Sequence, residues 1–137
     1  FKNTEYRIDF IGALKSNYSE AVIMESDIEQ AALARHMKWG NELDFWCHGY
    51  NYNSSIASAI HSKMKRLCKI AGADKTPEQR TDAEREALRI LEHRRWNAYM
   101  RSIGYVYAEK RDDLAKTHPC LVEFAKLSPE EQKKDDD

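Results

Sequence analysis

His36-Met37-Lys38-Trp39 is followed by Gly49-Tyr50-Asn51-Tyr52, and His93-Arg94-Arg95-Trp96 is followed by Gly104-Tyr105-Val106-Tyr107. Both stretches read H-x-x-W and then G-Y-x-Y, with Trp-to-Gly gaps that differ by two residues. The residues before them also rhyme: Leu33-Ala34-Arg35-His36 against Leu91-Glu92-His93. Tryptophan is rare, so its recurrence in one constellation marks an internal repeat. A His and a Trp three apart lie on one face of a helix. A glycine after the helix permits the positive φ of a sharp turn. Each half is then a helix with a return segment. The fold class expected is mainly α, built from two pseudo-symmetric helical halves over about 27–72 and 76–137.

Working outward, Ser26 or Asp27 can cap a helix whose apolar positions include Ile28, Ala32, Trp39 and Leu43. Tyr50-Asn51-Tyr52 reads as a turn, after which Asn53 or Ser54 opens a second helix. Its inner stripe is Ile56, Ile60, Met64, Leu67 and Ile70, and Gly72 stands just past its end. Lys63, Lys65, Arg66 and Lys69 read as its solvated side. Thr76 with Gln79, and Thr81 with Glu84, each fit a capping box. A third helix follows from about Asp82 to Ser102, with Ala87, Leu88, Leu91, Arg95 and Ala98 inward. Pro119 breaks any helix near His118, and Ser128-Pro129 starts a last short one. Residues 1–26 read differently. Tyr6, Ile8 and Phe10 alternate with Arg7 and Asp9, as in a half-buried strand, and Ala21-Val22-Ile23-Met24 is a second apolar run. This stretch is a leader with strand or extended segments, or the end of an upstream domain.

Composition narrows the function. Twenty-two basic and 23 acidic side chains leave a net charge of -1, so overall charge gives no nucleic-acid or membrane footprint. No apolar run approaches the ~18 residues that span a bilayer. Cys47, Cys68 and Cys120 are odd in number and lack metal-ligand spacing, which fits reduced thiols of a cytoplasmic protein. There is no glycine-rich phosphate loop, nucleophile elbow or paired-cysteine motif, so no catalytic residue, cofactor or metal site is expected.

The C-terminal half carries a further ordered run. The H-x-x-W and G-Y-x-Y elements lead to Arg111-Asp112-Asp113, then His118-Pro119-Cys120-Leu121-Val122, and close on Leu127-Ser128-Pro129-Glu130-Glu131. This order resembles the repeat domain of ryanodine receptors, the RyR domain, in its single-unit prokaryotic or phage form. The resemblance covers roughly residues 27–137 and is strongest over 88–137. Tyr105 stands where that family usually has Trp, and Ala108 where it often has Gly. The resemblance implies a non-catalytic regulatory module, next to an attached effector or transport domain of a parent protein. It also implies a cleft between paired halves that accepts an adenine-nucleotide-like small molecule, near the tryptophans at positions 39 and 96.

On that reading the ligand-binding residues are His36, Trp39, His93, Arg94, Trp96, Tyr105 and Arg111. Trp39 and Trp96 would sandwich a planar base, a stacking contribution of roughly 1–3 kcal/mol per base. His36 and His93 would hydrogen-bond the ligand, and Arg111 or Arg94 would fork onto a phosphate. Each also has a structural reading: tryptophans as core, histidines bonded to backbone carbonyls, arginines solvated or ion-paired. The alternative function is a protein–protein interaction or structural module, homo-oligomeric or not, with Trp46, Tyr50 and Tyr52 as its hot spot.

Overall fold

The computed structural model describes residues 26–136. The strand and extended segments expected before Ser26 lie outside the described residues. The rest is mainly helical: α1 Asp27–His36, α2 Glu42–Cys47, α3 Gly49–Leu67, α4 Asp82–Ser102 and α5 Pro129–Gln132, with one pair of two-residue strands, β1 Val106–Tyr107 and β2 Thr117–His118. The strands run parallel, Val106 opposite Thr117 and Tyr107 opposite His118. Among the described residues no helix is long and apolar enough to cross a membrane.

Local sequence explains the helix starts. The Ser26 hydroxyl accepts from the Glu29 N–H at 3.0 Å and the Asn41 side chain from the Asp44 N–H at 2.9 Å. Thr81 and Glu84 form the expected capping box of α4, with bonds of 3.2 and 2.9 Å. The Thr76–Gln79 box opens only a 3-10 turn at Pro77–Gln79. Gly104 ends α4 with φ +95°, a conformation that costs a residue with a Cβ about 1 kcal/mol or more.

Two departures from the sequence pattern matter. The first helix does not reach Leu43. It stops at His36, the chain bends, and Asn41 caps a new helix. Trp39 and Leu43, expected inside, are 64% and 71% exposed. Gly40 belongs to this bend because its backbone packs against the buried His36 ring, where a Cβ would collide with Nε2. Secondly, the first Gly-Tyr-x-Tyr is no turn: it is the opening turn of α3. The second Gly-Tyr-x-Tyr leaves its helix and enters β1. The two copies thus adopt different conformations.

The halves have separate apolar cores. Ala32, Phe45 and Ala59 pack with Ile28, Leu33, Tyr52 and Ile56 where α1, α2 and α3 meet. Met100, Tyr105 and Leu121 pack with Trp96, Tyr99 and Ile103 around the end of α4. Between them α3 turns a polar face to α4. Its buried positions are Ser55, Ala59, Ser62 and Lys65, while Ile60, Met64, Leu67 and Ile70 stay exposed. The buried positions therefore fall one or two residues before those of the apolar stripe expected. The cause is Glu92, buried on α4. Its carboxylate accepts from Ser58 Oγ at 3.0 Å and from Arg95 Nε at 2.9 Å, and lies 3.1 Å from His61 Nδ1. Lys65, expected in solvent, is 1% exposed, and its Nζ is 3.8 Å from the same carboxylate. Burial alone raises the Glu92 pKa, but Arg95, His61 and Lys65 together outweigh it and bring it below its ordinary value.

Removing the anion from this cluster takes away the carboxylate that Ser58, His61 and Arg95 share and that Lys65 approaches. Glu92→Ala should cost about 3–5 kcal/mol, as for other broken buried pairs. Urea unfolding measures it. A loss under about 1 kcal/mol would mean that the cluster does not hold the halves together.

Candidate functional site

Where the first turn of α3 meets the second half of α4, four aromatic rings and a histidine gather. Trp96 and Tyr99 project from α4, three residues apart and so on adjoining positions of one face. Tyr50 comes across from α3: its ring centroid is 6.3 Å from that of Tyr99, and its hydroxyl donates to Met100 Sδ at 3.4 Å. His118, on β2, sets its ring edge-on to Trp96 at 4.9 Å. Tyr105 lies beneath, in the core of the second half.

The loop between the strands places Arg111 at the margin. Lys116 Nζ donates to Ile103 O at 2.7 Å and the Val106 N–H to Lys116 O at 2.9 Å, which ties the loop to the end of α4. Asp112 Oδ1 accepts from the N–H groups of Leu114 and Ala115, both at 2.9 Å, and fixes the turn from within. Arg111 Nε and the Tyr105 hydroxyl then share Asp113 Oδ1, at 3.0 and 3.1 Å. Of the Arg-Asp-Asp run, the middle residue braces the loop while the outer two face the site.

The electrostatics follow from burial. It raises the pKa of Tyr50, partly opposed by the Arg111 charge, and that of Tyr99, to which Tyr50 adds. Burial and then the Asp113 bond raise that of Tyr105. It lowers that of His118, with Arg111 adding to the effect, and His118 Nδ1 accepts from the Cys120 N–H at 3.1 Å, as a neutral imidazole does. The phenols and the imidazole are thus neutral at pH 7. Two cations are near: Arg111 and Arg95 both act on Tyr50, and Arg95 acts on Tyr99 as well. Arg95 binds Glu92 through Nε and Nη2, but its buried Nη1 has no hydrogen-bond partner. A neutral aromatic surface with two guanidiniums near it, each paired with a carboxylate, suits a planar ring.

The seven residues expected in one cleft are distributed over three places. Trp96, Tyr105 and Arg111 stand together. His93 is next to them, its ring stacked on Trp96 with centroids 5.8 Å apart, but it is buried and both nitrogens are engaged: Nε2 with Val122 O at 2.8 Å and Nδ1 with Asp135 at 3.2 Å. His36 and Trp39 belong to the first half. Trp39 packs edge-on to His36 at 4.1 Å, and the two tryptophans share no ring contact. His36 is fully buried, with neither ring nitrogen hydrogen-bonded. Arg94 is on another flank of α4, in an open groove with Asn97 and Val122. Tyr50, Arg95, Tyr99 and His118 are not among the expected ligand-binding residues, although Tyr50 belongs to the hot spot of the alternative reading. Tyr50 was visible as a member of the repeated Gly-Tyr-x-Tyr, and Arg95 as a charge on an otherwise apolar stripe. Among the described residues no group of three or more His, Cys, Asp or Glu is placed to hold a metal ion.

No protein-family model and no solved structure matches this chain.

His93 also anchors the C-terminal segment through Asp135. Burial raises the Asp135 pKa from its ordinary value to about 6, with the Glu92 charge adding and His93 opposing. In the pH range between an unfolded pKa of about 4 and that value, the folded chain holds the extra proton. The stability this gives is fully present below about pH 4 and is lost as pH rises through about 6. Asp135→Asn has no such titration. Its melting temperature should gain on wild type between pH 4.5 and 7; parallel profiles would show that Asp135 titrates like an exposed carboxylate.

Proposed function

We propose that this chain is a non-catalytic regulatory module of the RyR type. It senses a nucleotide-like, adenine-containing small molecule in the cytosol and passes the signal to an attached effector or transport domain. The observation that carries this reading is the neutral cluster of Tyr50, Trp96, Tyr99 and His118 with Arg95 and Arg111 near it. Its rings come from both halves, so an occupant touches α3 and α4 together. A base stacks on Trp96 or Tyr50 in place of the tryptophan sandwich, and a phosphate reaches Arg111. Binding that favours one arrangement of the halves shifts their population by its differential affinity.

A thermal-shift screen of mono-, di- and cyclic nucleotides tests it. A ligand at a hundred times its Kd stabilises the folded state by about 2.7 kcal/mol. Trp96→Ala should abolish the shift or weaken binding by about tenfold or more, the order expected of one stacked base. Trp39→Ala should leave it unchanged. If the whole panel leaves melting temperature and tryptophan fluorescence untouched, the reading fails.

A second reading has its own observation. Met37, Trp39, Leu43 and Trp46 are each at least half exposed, on the bend between α1 and α2 and on α2 itself. Exposed apolar groupings of this kind mark protein interaction surfaces. If this surface pairs two copies, sedimentation velocity will show a concentration-dependent dimer that Trp46→Ala abolishes. A monomer throughout would remove the homo-oligomeric form.

A further inference from the structure

Arg94 and Arg101 are seven residues apart on α4, so they project from one face, about 10.5 Å apart along the axis. Both are exposed, and among the described residues neither makes a side-chain hydrogen bond or ion pair. They flank Ala98 over an open groove of about 560 Å³ whose far wall is the segment from Leu121 to Lys126. Lys126 adds a third cation there. The groove's single carboxylate, Glu123, lies 3.9 Å from it in an exposed pair of little strength. The lining is therefore cationic around a small apolar floor of Ala98, Leu121 and Val122.

Asn97 holds the wall in place: its Nδ2 donates to His93 O at 3.1 Å and to Val122 O at 3.5 Å. Cations set around an apolar floor suit an occupant that carries both carboxylates and an apolar side chain, which a free phosphate lacks.

We propose that this groove binds an extended acidic peptide segment. Arg94 and Arg101 take carboxylates three residues apart, which in a polyproline-II conformation recur on one side every ~9.3 Å. An apolar residue between them rests on Val122. A nucleic acid fits less well, because no aromatic ring lines the groove to stack a base. The site is on a different flank of α4 from the Trp96 cluster and does not depend on it.

The test uses the whole 137-residue chain and a fluorescein-labelled peptide containing Asp-Leu-Pro-Asp, followed by fluorescence anisotropy. Saturable binding is expected that weakens with added salt, is lost when both Asp are replaced by Asn, and weakens at least about tenfold in Arg94→Gln/Arg101→Gln. Both arginines are exposed, so the variant should keep the wild-type melting curve, and circular dichroism checks that it does. The proposal is overturned if the peptide does not bind at millimolar concentration, if the Asn peptide binds equally, or if the folded double variant binds as well as wild type. It is equally overturned if tripolyphosphate or an oligothymidylate binds the same arginines more tightly than the peptide, which would make the groove a phosphate site.

Discussion

A single carboxylate on α4 decides how the two halves meet. Glu92 is nearly buried, and a bare charge in that position would be costly. Ser58, His61, Lys65 and Arg95 surround it, three of them contributed by α3. An apolar α3–α4 interface could slide or rotate with little penalty, since apolar contact has no direction. A carboxylate shared by a hydroxyl, an imidazole, an ammonium and a guanidinium cannot. The rotation of α3 about its axis follows from that constraint. With Ser58, His61 and Lys65 turned toward α4, Ile60, Met64 and Leu67 are left outside. The same rotation carries Tyr50, at the other end of α3, onto Tyr99 and Met100. The aromatic cluster is a consequence of where the ionic cluster is.

Sequence reasoning succeeded where the signal was local. The α4 capping box, the glycine stop at Gly104 and the Ser128-Pro129 start depend on residues within one turn of each other, and all three are present. It went astray where a distant partner decides. The stripe of Ile56, Ile60, Met64 and Leu67 is a good apolar face, and nothing near it in sequence announces that Glu92 will claim the neighbouring face. Lys65 is the sharpest case: within its own helix it looks like surface, and its burial beside Glu92 is a tertiary fact. Arg95 was correctly placed on the inner stripe of α4, but its role as partner to Glu92 is a tertiary fact.

The repeat was misleading in a more instructive way. His36-x-x-Trp39 and His93-x-x-Trp96 look alike as strings, yet one ends a helix and the other lies inside one. Gly40 makes the difference. Immediately after Trp39 it lets the backbone close on the His36 ring, so the helix ends there and Trp39 is carried out to solvent. In the second copy Asn97 follows Trp96. Its side chain bonds back to His93 O and helps hold the helix against Val122. One residue after each tryptophan therefore separates a surface ring from one held in a packed cluster.

The asymmetry bears on the site. A base held between two equivalent tryptophans would need both copies to present their rings inward, and only the second does so. Tyr50 replaces Trp39 as the aromatic contributed by the first half, and its position depends on the Gly49-Tyr50-Asn51-Tyr52 stretch being helical. Had that stretch turned, as its counterpart does after α4, Tyr50 would not reach Met100. The conformational difference between the two copies thus brings an aromatic ring of the first half to the tryptophan of the second. It also makes the cluster depend on the relative placement of α3 and α4, which Glu92 fixes. A molecule bound across Tyr50 and Trp96 would act on the same interface as the buried charges, and its effect would be felt at the junction of the two halves.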